Sequence, residues 1–449
     1  MTTDFDTTRV LIASACGIII LLILIIKFKV HPVLSLLVAA LVIAMGSGMT
    51  VEQMADTVTE GAGSTLEGIV LLIGLGSMFG GILEVSGGAS SIARTLVAKF
   101  GEKNSGIALG VTGLIIGTTV FFEAGVMILI PLAFGLAKKT KKSTLYYVIP
   151  LLAGLAAGFA FIPPSAGSVL VSTMLGVDLG LMILVGLPTG VVALVCGGIF
   201  WSKFIGKRIY AAVPDTVKES NIEEANLPKF STVVAIILIP LVLILLSTLT
   251  TYVEIWAPLE STLLFLGTPF IALIITIIVA MFTLCHSQGY TLEQIKKILD
   301  KSLLPTAGIL LVITGGGIIS EILQVIGMGS IVSSVLEQSG LPLVIVAFLI
   351  AGMIRICVGA AVVSMTMTAG IMVSMVAVST LSPLYLAAIV LAINGGATAF
   401  SHFNDSGFWM VSSILQINEK DTLKAWTTME TIIGLVGLAS AVFIALLLC

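Results

Sequence analysis

Apolar runs long enough to cross a bilayer recur along the whole chain, separated by short polar segments. VLIASACGIIILLILII (10–26), STVVAIILIPLVLILLSTLT (231–250) and TIIGLVGLASAVFIALLL (431–448) each reach the roughly 17 to 25 residues that a membrane-crossing helix needs. The pattern predicts an all-α polytopic membrane protein with about 12 to 14 transmembrane helices. The first run passes through KFKVHP into a second apolar run without a small-residue cleavage site, so it reads as a span rather than a secretory signal.

Lysine and arginine divide the polar segments, because they collect on the cytoplasmic side of short loops. Lys27 and Lys29, Arg94, Lys99 and Lys103, the KKTKK of 138–142, Lys203, Lys207 and Arg208, Lys296, Lys297 and Lys301, and Lys420 and Lys424 are expected inside. VEQMADTVTEGAG (51–63), TYVEIWAPLEST (251–262), GMGSIVSSVLEQSG (327–340) and STLSP (379–383) lack Lys and Arg and are expected as outside loops, with both termini outside. The most polar stretch, GKRIYAAVPDTVKESNIEEANLPKF (206–230), reads as a cytoplasmic linker between two halves.

An internal repeat supports that division. GIVLLIGLGSMFGGILEVSGGAS (68–90) aligns without gaps over GILLVITGGGIISEILQVIGMGS (308–330), with ten of 23 positions identical at an offset of 240. Basic residues follow the first copy and are absent after the second, so the copies are expected to enter the membrane from opposite sides. Such inverted repeats are a recurrent plan of secondary transporters. The organisation expected is spans outside the repeat over 1–60, a first repeat over 61–205, the linker, connecting spans over 231–300, and a second, inverted repeat over 301–449.

Two pairs of interruptions occur at the same offset. FIPPSAGSV (161–169) lies over SHFNDSGFW (401–409), with Gly167 over Gly407. Pro163 and Pro164 cannot donate to a helix ladder, while Asn404, Asp405, Ser406 and Gly407 favour turns and caps. Irregular backbone at membrane depth is tolerated only where protein buries it or it lines a cavity, and the free N–H groups opening a half-helix suit an anion. GTTVFFEAGV (117–126) likewise faces RICVGAAVV (355–363). Each carries glycine, Gly359 in the second, and one ionisable group, Glu123 or Arg355. Intramembrane charges are expensive and usually functional.

Composition narrows the function. Of 449 residues 58% are hydrophobic and 10% charged, with mean hydropathy +1.19, against about 25% charged in a soluble domain. A net charge of −3 argues against a nucleic-acid partner. The five cysteines show no metal-ligand spacing and read as small buried apolar residues. No HExxH, GxSxG or Walker pattern is present, and the three histidines, His31, His286 and His402, are far apart. Neither an enzyme nor a cofactor or metal site is expected, and ATP is excluded as the direct energy source. No span is polar along a whole face, as a channel would require, and no lysine sits in mid-span, as a proton-pumping respiratory subunit would need. A secondary transporter in the lipid bilayer remains.

VFFEAGV, RICVGAAVV, SHFNDSGFW and the closing KAWTTMETIIGLVG resemble the hallmark segments of the gluconate:proton symporter family of bacterial inner-membrane permeases, which includes transporters of D-serine and related small carboxylates. The resemblance runs from KFKVHP to the last span. It implies proton-coupled uptake of a small hydroxy acid such as gluconate, a multi-pass inner-membrane location, and the inverted repeats, broken or re-entrant helices and frequent homodimers of the wider ion-transporter-like superfamily. The chain departs from the family's PPHPGP, reading PPSAGS, so Ser165 and Ala166 replace a His-Pro pair in a predicted binding loop.

These readings nominate Arg355, Gly359, Ser401, His402, Asn404, Asp405 and Gly407, with Pro163, Pro164, Ser165 and Gly167 from the opposite break, as the substrate-binding set. Arg355 is suited to a bidentate grip on a carboxylate; the alternative is an anchor reaching lipid headgroups. Asp405 reads as a pocket carboxylate or a plain helix cap, His402 as a proton carrier or a structural hydrogen-bonding group. Glu123, between FF and AG, is the first candidate for carrying the coupled proton, since desolvation raises a carboxyl's pKa, and Asp405 is the second. Ser401, Asn404, Asp405 and free carbonyls also leave sodium coupling open, and a D-amino acid or other organic anion remains an alternative substrate.

Overall fold

The computed structural model describes residues 6–214, 227–250, 257–328, 341–376, 381–403 and 405–448, and all regular structure among them is helical. The first half runs α1 (Thr7–Ile26), α2 (Pro32–Ser47), α3 (Val51–Val85), α4 (Gly88–Gly117), α5 (Phe122–Thr140), α6 (Leu145–Phe161), α7 (Ala166–Met174) and α8 (Leu179–Arg208). The second runs α9 (Phe230–Thr250), α10 (Ala257–Gly267), α11 (Pro269–Gln288), α12 (Leu292–Val325), α13 (Leu343–Val358), α14 (Ala361–Val376), α15 (Pro383–Thr398), α16 (Ser406–Leu415) and α17 (Glu419–Leu447). Among the described residues seven helical stretches are long and apolar enough to cross a membrane, or eight with the bent α3, and five shorter apolar helices accompany them. Large apolar side chains such as Ile12, Phe265, Met353 and Phe443 are exposed, as expected of a lipid-facing surface.

The aligned segments of sequence fall on the second halves of α3 and α12, which pack against each other. Each of these long helices opens with a capping box. The Thr50 hydroxyl accepts from the Gln53 N–H while Gln53 Oε1 accepts from the Thr50 N–H, and Thr291 and Gln294 do the same. That reciprocal bonding satisfies two orphan donors and starts a helix firmly. It explains why VEQMADTVTEGAG, expected as an outside loop, is instead the opening of α3, with Glu52 in the favourable first turn. The helices also run through positions 60 and 300, so the repeat borders drawn there fall inside α3 and α12 rather than between elements. Of the linker proposed for 206–230, residues 215–226 lie outside the described residues, as does most of 327–340.

Close helix approach sets the interior. A Cβ at Gly154 on α6 would collide with the Gly110 carbonyl oxygen on α4, and one at Gly434 on α17 with the Gly395 carbonyl oxygen on α15. Without lipid-excluding hydrophobic force between helices, such small residues let backbones gain dispersion contact. α6 and α15 are almost wholly buried. Asn394 Nδ2 donates to the Ala160 carbonyl at 2.7 Å, tying α15 to α6 just before each helix breaks. Of the cysteines, Cys285 is buried as expected, whereas Cys16 is exposed, consistent with an apolar side chain facing lipid.

Candidate functional site

Both interruptions are real ends of helices. α6 stops at Phe161, Ile162 is extended, and after Pro163 and Pro164 the hydroxyl of Ser165 caps α7 by accepting from the Ser168 N–H at 3.3 Å. The same hydroxyl donates to the Phe159 carbonyl at 2.7 Å, locking the turn onto α6. On the other side α15 stops at Thr398, and Phe400 adopts φ 61, a left-handed conformation that strains a non-glycine residue. Its ring is held edge-on against Phe348, 6.4 Å between centroids. Asp405 then caps α16, its Oδ1 accepting from the Gly407 N–H at 3.0 Å.

That cap is also half of a buried ion pair. Arg355, in the last turn of α13 and 3% exposed, donates from Nη2 to Asp405 Oδ2 at 2.6 Å. Its Nη1 donates to the carbonyl of Gly359, the left-handed residue (φ 85) that ends α13. Asp405 Oδ2 further accepts from the Ser401 hydroxyl, which itself accepts from Trp426 Nε1 at 2.7 Å. Thr427 Oγ1 donates to the Ser401 carbonyl. The network therefore joins α13, the α15–α16 break and α17. Arg355 Nε alone of the guanidinium nitrogens is buried without a hydrogen-bond partner.

The network faces a cavity of about 230 Å³ lined by Phe121, Phe122, Glu123, Phe159, Ile309, Arg355, Asp405, Ser406, Gly407, Trp426 and Glu430 among others. The Phe122 ring lies 5.5 Å from that of Trp426, tilted by 48°, closing the α5 side against α17. A smaller pocket at the first break, lined by Ser77, Thr119, Pro164 and Ser165, shares Phe121 and Phe159 with it. The two breaks thus open onto adjoining spaces separated by two phenylalanines.

The structure gathers Glu123, Arg355, Asp405 and Gly407 in one cavity, with Ser401 and Gly359 bonded behind them. Pro164 and Ser165 line the adjoining pocket. Gly167 is buried where a Cβ would come 2.8 Å from the Phe159 carbonyl oxygen, a packing position, and Pro163 lines neither space. His402 is half-buried, off the cavity wall, with its Nδ1 unpartnered. Asn404 lies outside the described residues. Arg355 is buried and ion-paired, so it is not an anchor reaching headgroups. Glu123, expected deep in apolar packing, is exposed in the first turn of α5, because the break before that helix opens its start to the cavity. Among the lining residues that sequence reasoning did not nominate are Trp426 and Glu430. Their signal was a lone carboxyl in KAWTTMETIIGLVG, at the start of the last apolar run.

A family model described as GntP family permease matches residues 9–447. The chain belongs to the GntP permease family. This GntP permease is 34% identical over 436 residues to the low-affinity gluconate transporter of Escherichia coli K12, covering 96% of this chain and 97% of that one. It is 33% identical over 446 residues to a gluconate permease of Pseudomonas aeruginosa, covering 98% of each. To the Gnt-II system L-idonate transporter of E. coli K12 it is 33% identical over 433 residues, covering 95% and 97%. Among solved structures, the Alcanivorax borkumensis YdaH transporter superposes with TM-score 0.67 at 16% identity, covering 93% of this chain and 99% of that one. The Neisseria gonorrhoeae efflux pump MtrF superposes with TM-score 0.65 at 17% identity, covering 94% and 96%. These two share the fold. The GntP permease is a multi-pass transporter of the bacterial inner membrane and not an enzyme.

Proposed function

We propose that this permease takes up a small sugar acid, of the gluconate or idonate class named in its relatives, together with protons, and that it binds the substrate carboxylate in the Arg355 cavity. The observation that carries the reading is the Arg355–Asp405 ion pair at the N-terminus of α16, set in a cavity that also holds Glu123 and Glu430. One guanidinium stands there against three carboxyls. An anionic substrate entering such a low-dielectric space meets strong repulsion unless a carboxyl is neutralised, since like charges in one site disfavour joint ionisation. Proton entry with the substrate supplies that neutralisation and lets the membrane proton gradient drive uptake. The remaining Arg355 donors and the first N–H groups of α16 suit the carboxylate, while Ser406 and the Trp426 face border the space for the hydroxylated tail.

The two broken helix pairs support an inverted-repeat architecture that alternates access around this site. A homodimer belongs to the same reading, on the family resemblance alone. The test is uptake of labelled gluconate and L-idonate into proteoliposomes under an imposed inside-alkaline pH gradient without sodium. Accumulation that a protonophore abolishes is the expected result. Accumulation that requires a sodium gradient overturns proton coupling, and accumulation of D-serine in preference to both sugar acids overturns the substrate class.

A further inference from the structure

The proposed function leaves open which carboxyl carries the proton, and the inference below rests on that reading. We propose that Glu430, rather than Glu123, is the group that takes up and releases the transported proton.

Glu430 lies on α17 just after a π-helical turn, Leu423–Thr427. Such a bulge re-aims the residues around it, and here Trp426 and Glu430, one turn apart, both line the cavity. Glu430 is 4% exposed and its Oε1 is buried without a hydrogen-bond partner. An ionised carboxylate left so is strongly disfavoured; the oxygen needs either a proton or a cation. Arg355 Nε, the one unpartnered guanidinium nitrogen, is buried at the same cavity. The two unsatisfied atoms are complementary in charge. In the substrate-free state the guanidinium answers Asp405 and, across the cavity, Glu430. A substrate carboxylate that engages Arg355 removes that compensation, and a proton from the outside water then bonds to a Glu430 carboxylate oxygen. Release of the substrate inside returns Arg355 to Glu430, and the O–H bond breaks toward the cytoplasm.

Few other groups compete. Arg355 and Asp405 line the same cavity as Glu430, and Glu123 stands on the exposed wall. Besides Arg355, the elements packed on α17 contribute Tyr146 and Tyr147 from α6, Cys196, Lys203, Lys207 and Arg208 from α8, Cys357 from α13 and Tyr385 from α15, and none of these lines the cavity. On α17 itself Lys424 pairs with Asp421 at 3.6 Å. Glu123, being exposed, exchanges protons with whichever solution the cavity meets, whether or not substrate is bound. Only an enclosed group can be made to wait for substrate.

The experiment uses the full-length protein in proteoliposomes, with labelled gluconate as probe, comparing gradient-driven accumulation with counterflow exchange. Glu430→Gln mimics the protonated carboxyl and is expected to keep exchange at a reduced rate while losing accumulation at least tenfold. Glu123→Gln is expected to slow uptake but leave it gradient-driven. Accumulation by Glu430→Gln, or its selective loss in Glu123→Gln, overturns the proposal. If Glu430→Gln loses exchange as well, Glu430→Asp decides: recovery of gradient-driven uptake upholds a proton-carrying carboxyl, and no recovery overturns it. In parallel, pH-difference infrared spectra of the purified protein read the titrating band of a water-shielded carboxyl. Should the wild type not exchange gluconate, the substrate class fails and this band alone decides: its loss in Glu430→Gln supports the proton site, and its persistence overturns it.

Discussion

Asp405 Oδ2 sits 2.6 Å from Arg355 Nη2, joining residues fifty positions apart at the point where one helix ends and another begins. Each charge is enclosed by the other's element, so neither is replaceable alone. Removing one partner of a buried pair strands the other, at about 3–5 kcal/mol, whereas replacing both by apolar groups is often neutral. Asp405→Ala is therefore expected to lower stability by about 3–5 kcal/mol, and the double variant Arg355→Met with Asp405→Leu to recover most of it while abolishing uptake. Thermal unfolding of the singles and the double in detergent checks this; strictly additive losses would count against a coupled pair.

Arg355→Lys separates charge from shape. An ammonium cannot reach the Gly359 carbonyl, Asp405 and a substrate carboxylate together in the planar arrangement of a guanidinium. Loss of one charge-assisted hydrogen bond, about 1.5–3 kcal/mol, is expected to raise the KM for gluconate roughly ten- to hundredfold with a smaller effect on maximal rate. The amide of the same sugar acid should lose more than any single deoxy analogue. Equal uptake of acid and amide would refute carboxylate recognition here.

Gly154 tests the close approach of α4 and α6. A Cβ there meets the Gly110 carbonyl oxygen and the Leu114 N, 2.6 Å away, and neither is the end of a flexible side chain. Gly154→Ala is expected to destabilise by about 1–3 kcal/mol or more. Gly135→Ala on α5, with nothing within 4 Å of its Cβ, is expected to be neutral or slightly stabilising. Equal melting temperatures for the two variants would contradict the packing.

Ser165, where the resemblance leads one to expect histidine, serves as the cap of α7. Ser165→Ala removes both the cap and the bond to the Phe159 carbonyl. A loss of about 0.5–2 kcal/mol is expected, measured by thermal unfolding. Because the residue lines the pocket beside the cavity, gluconate uptake kinetics should change as well, and unchanged stability would exclude the capping role.

Much of the frame was legible in the chain because it rests on local chemistry. Apolar length marks membrane helices, and Pro163, Pro164 and the Asn404–Gly407 run are poor helix interiors wherever they fall, so the ends of α6 and α15 were visible without coordinates. Arg355 stood out for the same reason: a guanidinium in an apolar stretch needs an explanation in any fold. At 51–63 the lack of Lys and Arg suggested an outside loop, but the Thr50–Gln53 capping box starts a helix there.

Burial and pairing were decided by the tertiary structure. Glu123 and Glu430 look alike along the chain, each a single carboxyl in or beside an apolar run, yet one is exposed on a cavity wall and the other is enclosed. The pairing of Arg355 with Asp405, and the bond from Trp426 that fixes Ser401 behind them, join segments separated by 50 and 25 positions. Hydropathy and turn chemistry depend on a residue and its near neighbours, so the sequence alone determined the helices and their breaks. What a carboxyl faces depends on the other helices that pack around it, and only their assembly placed three carboxyls and one guanidinium around one cavity.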